Sequence, residues 1–476
     1  MHRIIPVFCV ASSFMVAVAQ GIDWPQWRGP DRTGVSPETG LLKAWPQDGP
    51  TLAWEAGGIG EGYSSVSIAA GRIFTMGDSE GSSHVYALNK SDGSALWSLH
   101  VGKSGGNYAG TRCTPTVDGD FVYALGQFGD LVCIEAASGR ERWRKSLPAD
   151  FGGKVGGWNY CESPLIDGEK LIIAPGGPDA TVVALNKQSG EVIWKTALPG
   201  RDRAEYSSFV ITQAAGIKQY VGLLSGGTVG IAADDGRFLW QYERLGRNTA
   251  NIPTPIVFDD YVFTTAGYGK GGALLKLSAS GSTVEAQEVY YNSKLKNKHG
   301  GVVKVGNYIY GDLDSSGKPW CADVMTGEVK WSMSRSSNSE GNGSACVTFA
   351  DGRLYVRFQN SIMALVDGSP DGEYTEVGSF KIPDDMSHSW AHPVVCDGRL
   401  YLRGKGKLLC YDIADQTASI EPRTWTDATG QFTVQATFVS LTGDKVDLRR
   451  TDGQMITVPL SRLSAPDQAY VRSLDR

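Results

Sequence analysis

ALNKSDGSALW (Ala87 to Trp97) returns along the chain as CIEAASGRERW (Cys133 to Trp143), ALNKQSGEVIW (Ala184 to Trp194), GIAADDGRFLW (Gly230 to Trp240) and CADVMTGEVKW (Cys321 to Trp331). Trp54, in LAWEA, fits the end of the same phrase. From Trp54 onward the tryptophans are spaced by 43, 46, 51 and 46 residues, then by 91, which is two units. A period near 45 built from strand-like pieces is the mark of a closed array of small sheets.

The residues around the phrase repeat the same grammar. A short apolar strand comes first, then a turn, often Asp-Gly: Asp118-Gly119, Asp167-Gly168, Asp351-Gly352 and Asp397-Gly398. Asp-Gly tolerates the positive φ of a tight hairpin. Two further strands follow, and a Ser-Gly, Asp-Gly or Thr-Gly turn leads into the strand that carries the tryptophan. Four antiparallel strands of this kind make one blade of a β-propeller. First strands start near Ser65, Thr114, Ser163, Ser208, Thr254, Gly301, Ala345 and His392, which predicts an all-β, eight-bladed ring with seven blades as the alternative. The fifth and seventh units lack the tryptophan, and the eighth stops after its third strand. The segment around Leu52 to Glu55 is expected to supply the missing fourth strand, which would remove the open sheet edges.

The recurring tryptophans, Trp54, Trp97, Trp143, Trp194, Trp240 and Trp331, are read as structural, wedged between neighbouring blades with the glycine of the preceding turn making room. Burying one hides roughly 150–250 Å², worth at most about 4–6 kcal/mol.

The phrase x-D-x-x-[TS]-G-x-x-x-W resembles the tryptophan-docking motif of pyrroloquinoline-quinone (PQQ) repeat propellers, a superfamily of quinoprotein alcohol dehydrogenases and of BamB-like proteins. The segment DWPQWRGPDRTGVSPETGLLKAWPQDGPTLAWEAGGIGEGYSS (starting at Asp23) resembles the opening of BamB-like members. The likeness runs over about residues 23–415; it is specific for fold and weak for activity.

After Asp415 the pattern changes. Residues 416–422 read as a linker, and 423–474 hold short alternating strands and a helical tail starting at Ser464. Phe432, Val434, Ala436 and Phe438 alternate, as do Val446 with Leu448. Arg423, Trp425, Asp427, Gly430, Phe432, Asp452-Gly453, Leu463, Asp467 and Tyr470 make this segment resemble a Sla-one homology domain, a small SH3-like barrel. That resemblance implies contact with protein or glycan; Trp425 and Phe432 are expected to fill the small core.

The first twenty residues differ in kind. Arg3 precedes a mostly apolar run, and Ala17-Val18-Ala19 is a small-x-small cleavage site, so residues 1–20 read as a secretory signal peptide of a bacterial protein bound for the periplasm or otherwise exported. No later stretch is apolar enough to span a bilayer. The formal net charge of −6 argues against a nucleic-acid partner. The seven cysteines past the leader include no CxxC and sit in apolar strand patterns, so they read mostly as buried thiols.

In a propeller the loops leading into the innermost strands meet at one end of the channel. Here they offer Tyr63, Arg112, Trp158, Tyr160, Glu162, Tyr206, Asn251, His299, Asn342, His388, Trp390 and His392 as ligand-binding candidates, in a polar and aromatic funnel suited to a protein or polysaccharide. For the dehydrogenases the resemblance implies PQQ with a calcium ion held by Glu, Asn and Asp. Glu162 and Asn251 are weak calcium candidates, but the loop from Asn292 to Gly301 carries Lys298 and His299 and no carboxylate. There is also no adjacent Cys-Cys pair and no CxxCH. Gly102-Lys103-Ser104-Gly105-Gly106 formally matches GxSxG without the strand–turn–helix elbow, and Pro393 argues against a helix pairing His388 with His392 around zinc. The expectation is a non-catalytic binding or scaffolding propeller without resident cofactor. The alternatives are a PQQ- and calcium-dependent oxidoreductase of alcohols or sugars, and a BamB-like outer-membrane assembly factor.

Overall fold

The computed structural model describes residues 23–474 except 109, 201, 335–338, 384–385, 387, 389 and 416–421. The expected signal peptide and most of the expected linker therefore lie outside the described residues.

Among the described residues, eight antiparallel sheets follow one another between residues 51 and 412. The first is typical: Ser67–Ala69, Arg72–Ser79, Ser82–Asn89 and Ala95–Lys103 pair in chain order. The eighth is composite. Its strands Val394–Cys396, Arg399–Gly404 and Lys407–Asp412 are completed by Thr51–Ala56, which pairs antiparallel with Lys407–Asp412. The ends of the array are thus joined in one sheet.

Apolar packing lies between consecutive sheets rather than at one centre. The first and eighth sheets share a cluster of Ile68, Ile73, Leu88, Val394, Tyr401 and Leu408, just as the sixth and seventh share Tyr310, Trp331, Val347 and Val356. A relay of hydroxyls links the starts of the inner strands. The Ser65 amide donates to Thr114 Oγ1 (3.1 Å), the Thr114 amide to Ser163 Oγ (3.0 Å) and the Ser163 amide to Ser208 Oγ (3.0 Å). Ser65 Oγ in turn donates to the His392 carbonyl of the eighth sheet (2.8 Å).

The repeated tryptophans do fill the gaps between sheets, but on a different glycine from the one expected. A Cβ on Gly139 would lie 2.7 Å from the Trp97 ring, and one on Gly236 would lie 2.5 Å from that of Trp194. Each ring therefore covers the turn glycine of the following sheet, not of its own. The indole N–H completes the dock: Trp97 Nε1 donates to the Ala136 carbonyl (3.0 Å) and Trp143 Nε1 to that of Lys187 (2.9 Å). In the fifth unit, which has no tryptophan, Tyr290 takes the position, 2.5 Å from a Cβ on Gly327, with its hydroxyl on the Val324 carbonyl (2.9 Å). Trp331, with open space at Gly372 and its Nε1 on the Ser369 carbonyl (2.9 Å), departs from this, and so does Trp240, which precedes the Tyr290 unit. Gly281 beyond Trp240 has open space, and Trp240 Nε1 instead donates to Gln219 Oε1 of its own sheet (2.7 Å).

Residues 24–42 form a strap that touches all eight sheets. Trp24 exchanges two backbone hydrogen bonds with Ile68, and the Pro25 carbonyl accepts from the Val117 amide (2.7 Å). Arg32 Nη1 reaches the carbonyls of Ser163 (3.1 Å) and Phe209 (3.0 Å), and its Nη2 that of Pro164. Trp27 Nε1 donates to Thr254 Oγ1 (3.1 Å) and Arg28 Nη2 to the Val302 carbonyl (2.5 Å). Val35 pairs in parallel with Phe349, and Glu38 accepts from the amides of Asp397 and Gly398. A chain that meets every inner strand crosses the centre of the ring.

At the C-terminus, Arg423–Thr426, Thr433–Thr442, Lys445–Arg450 and Met455–Pro459 form a separate four-stranded antiparallel sheet, followed by a helix at Ala465–Leu474. Trp425, Ala436, Val446, Leu448, Leu463 and Val471 are its core. Phe432 does not join them; it is 73% exposed. Its parity along the strand is right, but pairing ends at Thr426 with Thr433, so Phe432 lies past the last facing residue. Asp467 is buried and ties the domain together, accepting from Arg423 (2.7 Å), the Thr426 amide (2.8 Å) and Ser464 Oγ (2.8 Å).

No helix of the described residues is long and apolar enough to cross a membrane.

Candidate functional site

The loops that precede the inner strands surround a cavity of about 190 Å³ above the strap. Of the candidates read from the sequence, Tyr63, Arg112, Trp158, Tyr206, His299, Trp390 and His392 line it. Trp390 is the hub. Tyr63 leans on it (centroids 5.0 Å apart), Tyr108 meets it edge-on (5.3 Å), and His299 lies beside it (4.7 Å). Its Nε1 donates to Gln359 Oε1 (3.1 Å), which fixes the ring. Across the cavity Trp158 and Tyr206 form a second edge-to-face pair (5.8 Å). His388 stands at the rim, exposed and 5.4 Å from Trp390.

Four candidates are not brought to the wall. Tyr160 is buried with its hydroxyl on the Pro175 carbonyl (2.8 Å), a structural tie. Glu162 and Asn251 are buried away from the cavity. Asn342 is exposed in a turn, where its backbone amide donates to Asn360 Oδ1 (3.0 Å) and its side-chain oxygen accepts from the Gly343 amide (2.8 Å). Conversely the strap supplies wall residues that the repeat grammar could not flag. Trp27 packs on His392 (4.5 Å), and Arg28 lines the cavity beneath it. Tyr268, with Lys298 over its ring (4.6 Å), completes the far side. The one available signal was a Trp-Arg pair ahead of the first repeat, in a stretch with none of the turn pattern.

Tyr108, Tyr268 and His388 all adopt left-handed backbone, with φ of 54°, 54° and 59°. Such conformations cost non-glycine residues roughly 1–3 kcal/mol each and cluster at ligand sites.

The charges around the cavity are one-sided. Arg28, Arg112 and Lys298 line it, and among the described residues its wall includes no carboxylate. Burial, helped by Lys298, brings the His299 imidazole down to about 3; burial and Arg28 do the same to His392. Both rings are therefore neutral at pH 7. His392 Nε2 lies 3.1 Å from the His299 carbonyl, which can only accept, so Nε2 carries the proton and Nδ1 is a bare acceptor without a hydrogen-bond partner.

Glu162 and Asn251 do not compose a calcium cage. Glu162 Oε1 and Asn251 Oδ1 lack hydrogen-bond partners, but Glu162 Oε2 is taken by the Ala174 amide (2.9 Å) and Asn251 Nδ2 by the Leu224 carbonyl (2.8 Å). Burial pushes Glu162 up to about 8, which favours the neutral acid, and Arg32 faces it. Lys298 and His299 are what the loop from Asn292 to Gly301 brings to the cavity, and no group of three or more His, Cys, Asp or Glu side chains fit to hold a metal occurs among the described residues. Hard dications demand several anionic oxygens. Gly102 and Lys103 of the GxSxG match lie within the strand Ala95–Lys103, which is no nucleophile elbow. The cysteines are thiols, six buried and Cys161 half-buried.

Two of the buried acids, Glu162 and Asp312, make stability depend on pH. Burial raises Glu162, and Asp312 likewise, to about 8 from ordinary values of 4.5 and 3.8. The folded chain therefore holds both protons more tightly than the unfolded chain. That stabilisation is complete below pH 4 and is lost as pH rises through 8. Denaturant midpoints should fall between pH 5 and 9 (an interval set by these values), and Glu162→Gln with Asp312→Asn should flatten the slope. An equal slope in the double variant refutes the assignment.

Residues 81–333 match the protein family described as outer membrane protein assembly factor BamB, and residues 415–476 match SLA1 homology domain 1. The BamB of Shewanella oneidensis is 23% identical over 356 residues, covering 66% of this chain and 87% of that protein. The actin cytoskeleton-regulatory complex protein sla1 of Schizosaccharomyces pombe is 47% identical over 49 residues, which are 10% of this chain and 4% of that protein. Among solved structures, the quinohemoprotein alcohol dehydrogenase of Comamonas testosteroni superposes with a TM-score of 0.58 at 13% identity, over 89% of this chain and 83% of that one. At that identity the likeness is one of fold.

Proposed function

Because the chain belongs to the family of the outer membrane protein assembly factor BamB and ends in an SLA1 homology domain 1, we propose that it is an exported, non-catalytic binding protein. In this reading it is an eight-bladed propeller whose central cup holds a segment of polysaccharide or protein. Residues 1–20 direct it to the periplasm, 21–415 form the ring, 416–422 are a tether, and 423–474 form an SH3-like barrel offering a second contact surface. The observation that carries the reading is the cup itself: aromatic side chains from loops of several sheets, fixed by edge-to-face pairs and by Gln359, over a floor sealed by the strap. Rigid aromatics around a polar floor suit recognition. Among the described residues no group of three or more His, Cys, Asp or Glu fit to hold a metal occurs.

The test is binding of the mature chain to glycan and peptide arrays, run beside Trp390→Ala and Trp158→Ala. Binding that falls at least tenfold in both variants supports the cup as the site; binding unaffected by either overturns it. Reduction of a dye acceptor on adding PQQ and calcium would overturn the non-catalytic part. A second reading, contact with outer-membrane assembly proteins, is favoured by the naming of the Shewanella relative.

A further inference from the structure

Resting on the cup being a ligand site, we propose that its floor is an anion subsite, in which Arg28 Nη1 takes a carboxylate or sulfate oxygen, and that the ligand is an acidic polysaccharide whose sugar rings stack on the cup's aromatics.

Arg28 is buried, only 3% exposed. Its guanidinium is only partly used. Nε donates to the Arg32 carbonyl (3.3 Å), and Nη2 to those of Thr33 (2.8 Å) and Val302 (2.5 Å). Nη1 has no hydrogen-bond partner at all. An unfilled donor on a buried cation costs free energy unless something arrives to accept from it. Gly301 marks where that would be. A Cβ there would collide with Arg28 Nη1 and come within 3.1 Å of His392 Cε1, and all three residues line the cavity. The bare glycine backbone therefore packs against the unfilled donor, and no side chain at 301 covers it from the cavity. Beside it, His392 Nδ1 is an unfilled acceptor. An anionic oxygen for Arg28 next to a hydroxyl for His392 fills both, and a sugar carrying an acid group and ring hydroxyls presents that pair.

The surrounding charge favours an anion. Arg112 and Lys298 also line the wall, and among the described residues no wall residue is acidic. Glu162, the buried acid behind the floor, is held toward its neutral form by burial. The walls favour a chain of puckered rings over one flat acid. Tyr63 and Trp390 are inclined at 35°, Tyr108 and Trp390 at 64°, and Trp158 and Tyr206 at 77°. Faces set at such different angles offer successive sugar rings separate C–H stacking surfaces, whereas a single planar ring would want two parallel walls.

The test uses calorimetry and tryptophan fluorescence on the full mature chain with oligogalacturonate, a sulfated galacto-oligosaccharide, and the neutral galacto-oligosaccharide of equal length. Expected is at least tenfold tighter binding of one acidic sugar than of the neutral one, weakening as salt rises from 50 to 500 mM. A preference for the first acidic probe assigns a carboxylate, and for the second a sulfate. Lys298→Gln, at the exposed rim, should reduce the preference severalfold, and Arg28→Gln should abolish it. Lys298→Gln provides the readout if Arg28→Gln does not fold. Equal affinity for acidic and neutral sugars overturns the anion subsite but leaves the cup as a glycan site. Binding of none of the three sugars by a chain that does bind peptides through Trp158 and Trp390 also overturns the subsite. Binding of nothing through those two residues overturns the underlying reading as well.

Discussion

Arg32→Met unfolds at a lower denaturant midpoint, with a loss of about 3–5 kcal/mol and an unchanged slope. Arg32 is buried within the strap, and its guanidinium holds three backbone carbonyls at once: Ser163 (3.1 Å), Phe209 (3.0 Å) and Pro164. Nε is taken by Gln26 Oε1 (2.8 Å), which returns the strap onto itself. Methionine keeps much of the volume and none of the donors. Three buried carbonyls then lose a charged donor, each loss costing about 1–3 kcal/mol. Against this stands the cost of burying the guanidinium, visible in its descent to about 10. That recovery makes the net loss smaller than the sum. Arg32→Lys should restore little, since one ammonium cannot span carbonyls from two segments that a planar fork reaches together. Urea titration of the three proteins decides it; an Arg32→Met midpoint equal to the parent's would show that the strap adds no stability through this residue.

Gly236→Val costs about 2–5 kcal/mol, and about half of that disappears when Trp194 is already alanine. Two separate penalties are involved. Gly236 sits at φ +76°, where a side chain is strained by about 1–2 kcal/mol. Its Cβ would also come 2.5 Å from the Trp194 ring and 2.9 Å from Thr196 Oγ1, and such overpacking adds about 1–3 kcal/mol. Trp194 is only 8% exposed, so Trp194→Ala alone should cost about 3–5 kcal/mol. In the double variant the collision is gone and the strain remains, which gives a coupling of about 2 kcal/mol. Gly281→Val is the control, because Gly281 has φ +60° and nothing within 4 Å, so it should show the strain alone. Independent, additive effects at Gly236 and Trp194 would refute the docking of ring on turn.

The sheets were legible because their rules are local. Asp351 and Asp397 do stand at positive φ (47° and 57°), as Asp-Gly hairpins require. The eight positions marked as first-strand starts fall at or within two residues of the inner strands, from Ser65 before Ser67–Ala69 to His392 before Val394–Cys396. Phe432 was misjudged for an equally physical reason: alternation predicts a face only where a strand lies opposite, and pairing ends one residue earlier. Tyr290 could not be recognised as a tryptophan substitute, since its role depends on Gly327 of another sheet.

The candidate site was half legible. Tyr63, Tyr206 and Trp390 each stand two residues before a marked strand start (Ser65, Ser208 and His392), so the period located them, while Trp158, five before Ser163, stood out only as a loop aromatic. Tyr160 and Glu162 share a loop with Trp158, but a rotation of one or two residues turns them inward to Pro175 and Ala174. Period alone does not encode that rotation.

By itself the chain's order of residues determined the repeating sheet, the turns, the wedged indoles and a change of architecture after Asp415, because hydrogen-bonded hairpins and alternating burial are decided within a few residues. Only the tertiary structure decided what occupies the middle. Trp27 meets Thr254 across 227 positions and Arg28 meets Val302 across 274, contacts that exist only once eight units have closed around the strap. Which loop side chains face the cavity is settled by that closure, since distance from the axis is a property of the whole ring and of no single unit.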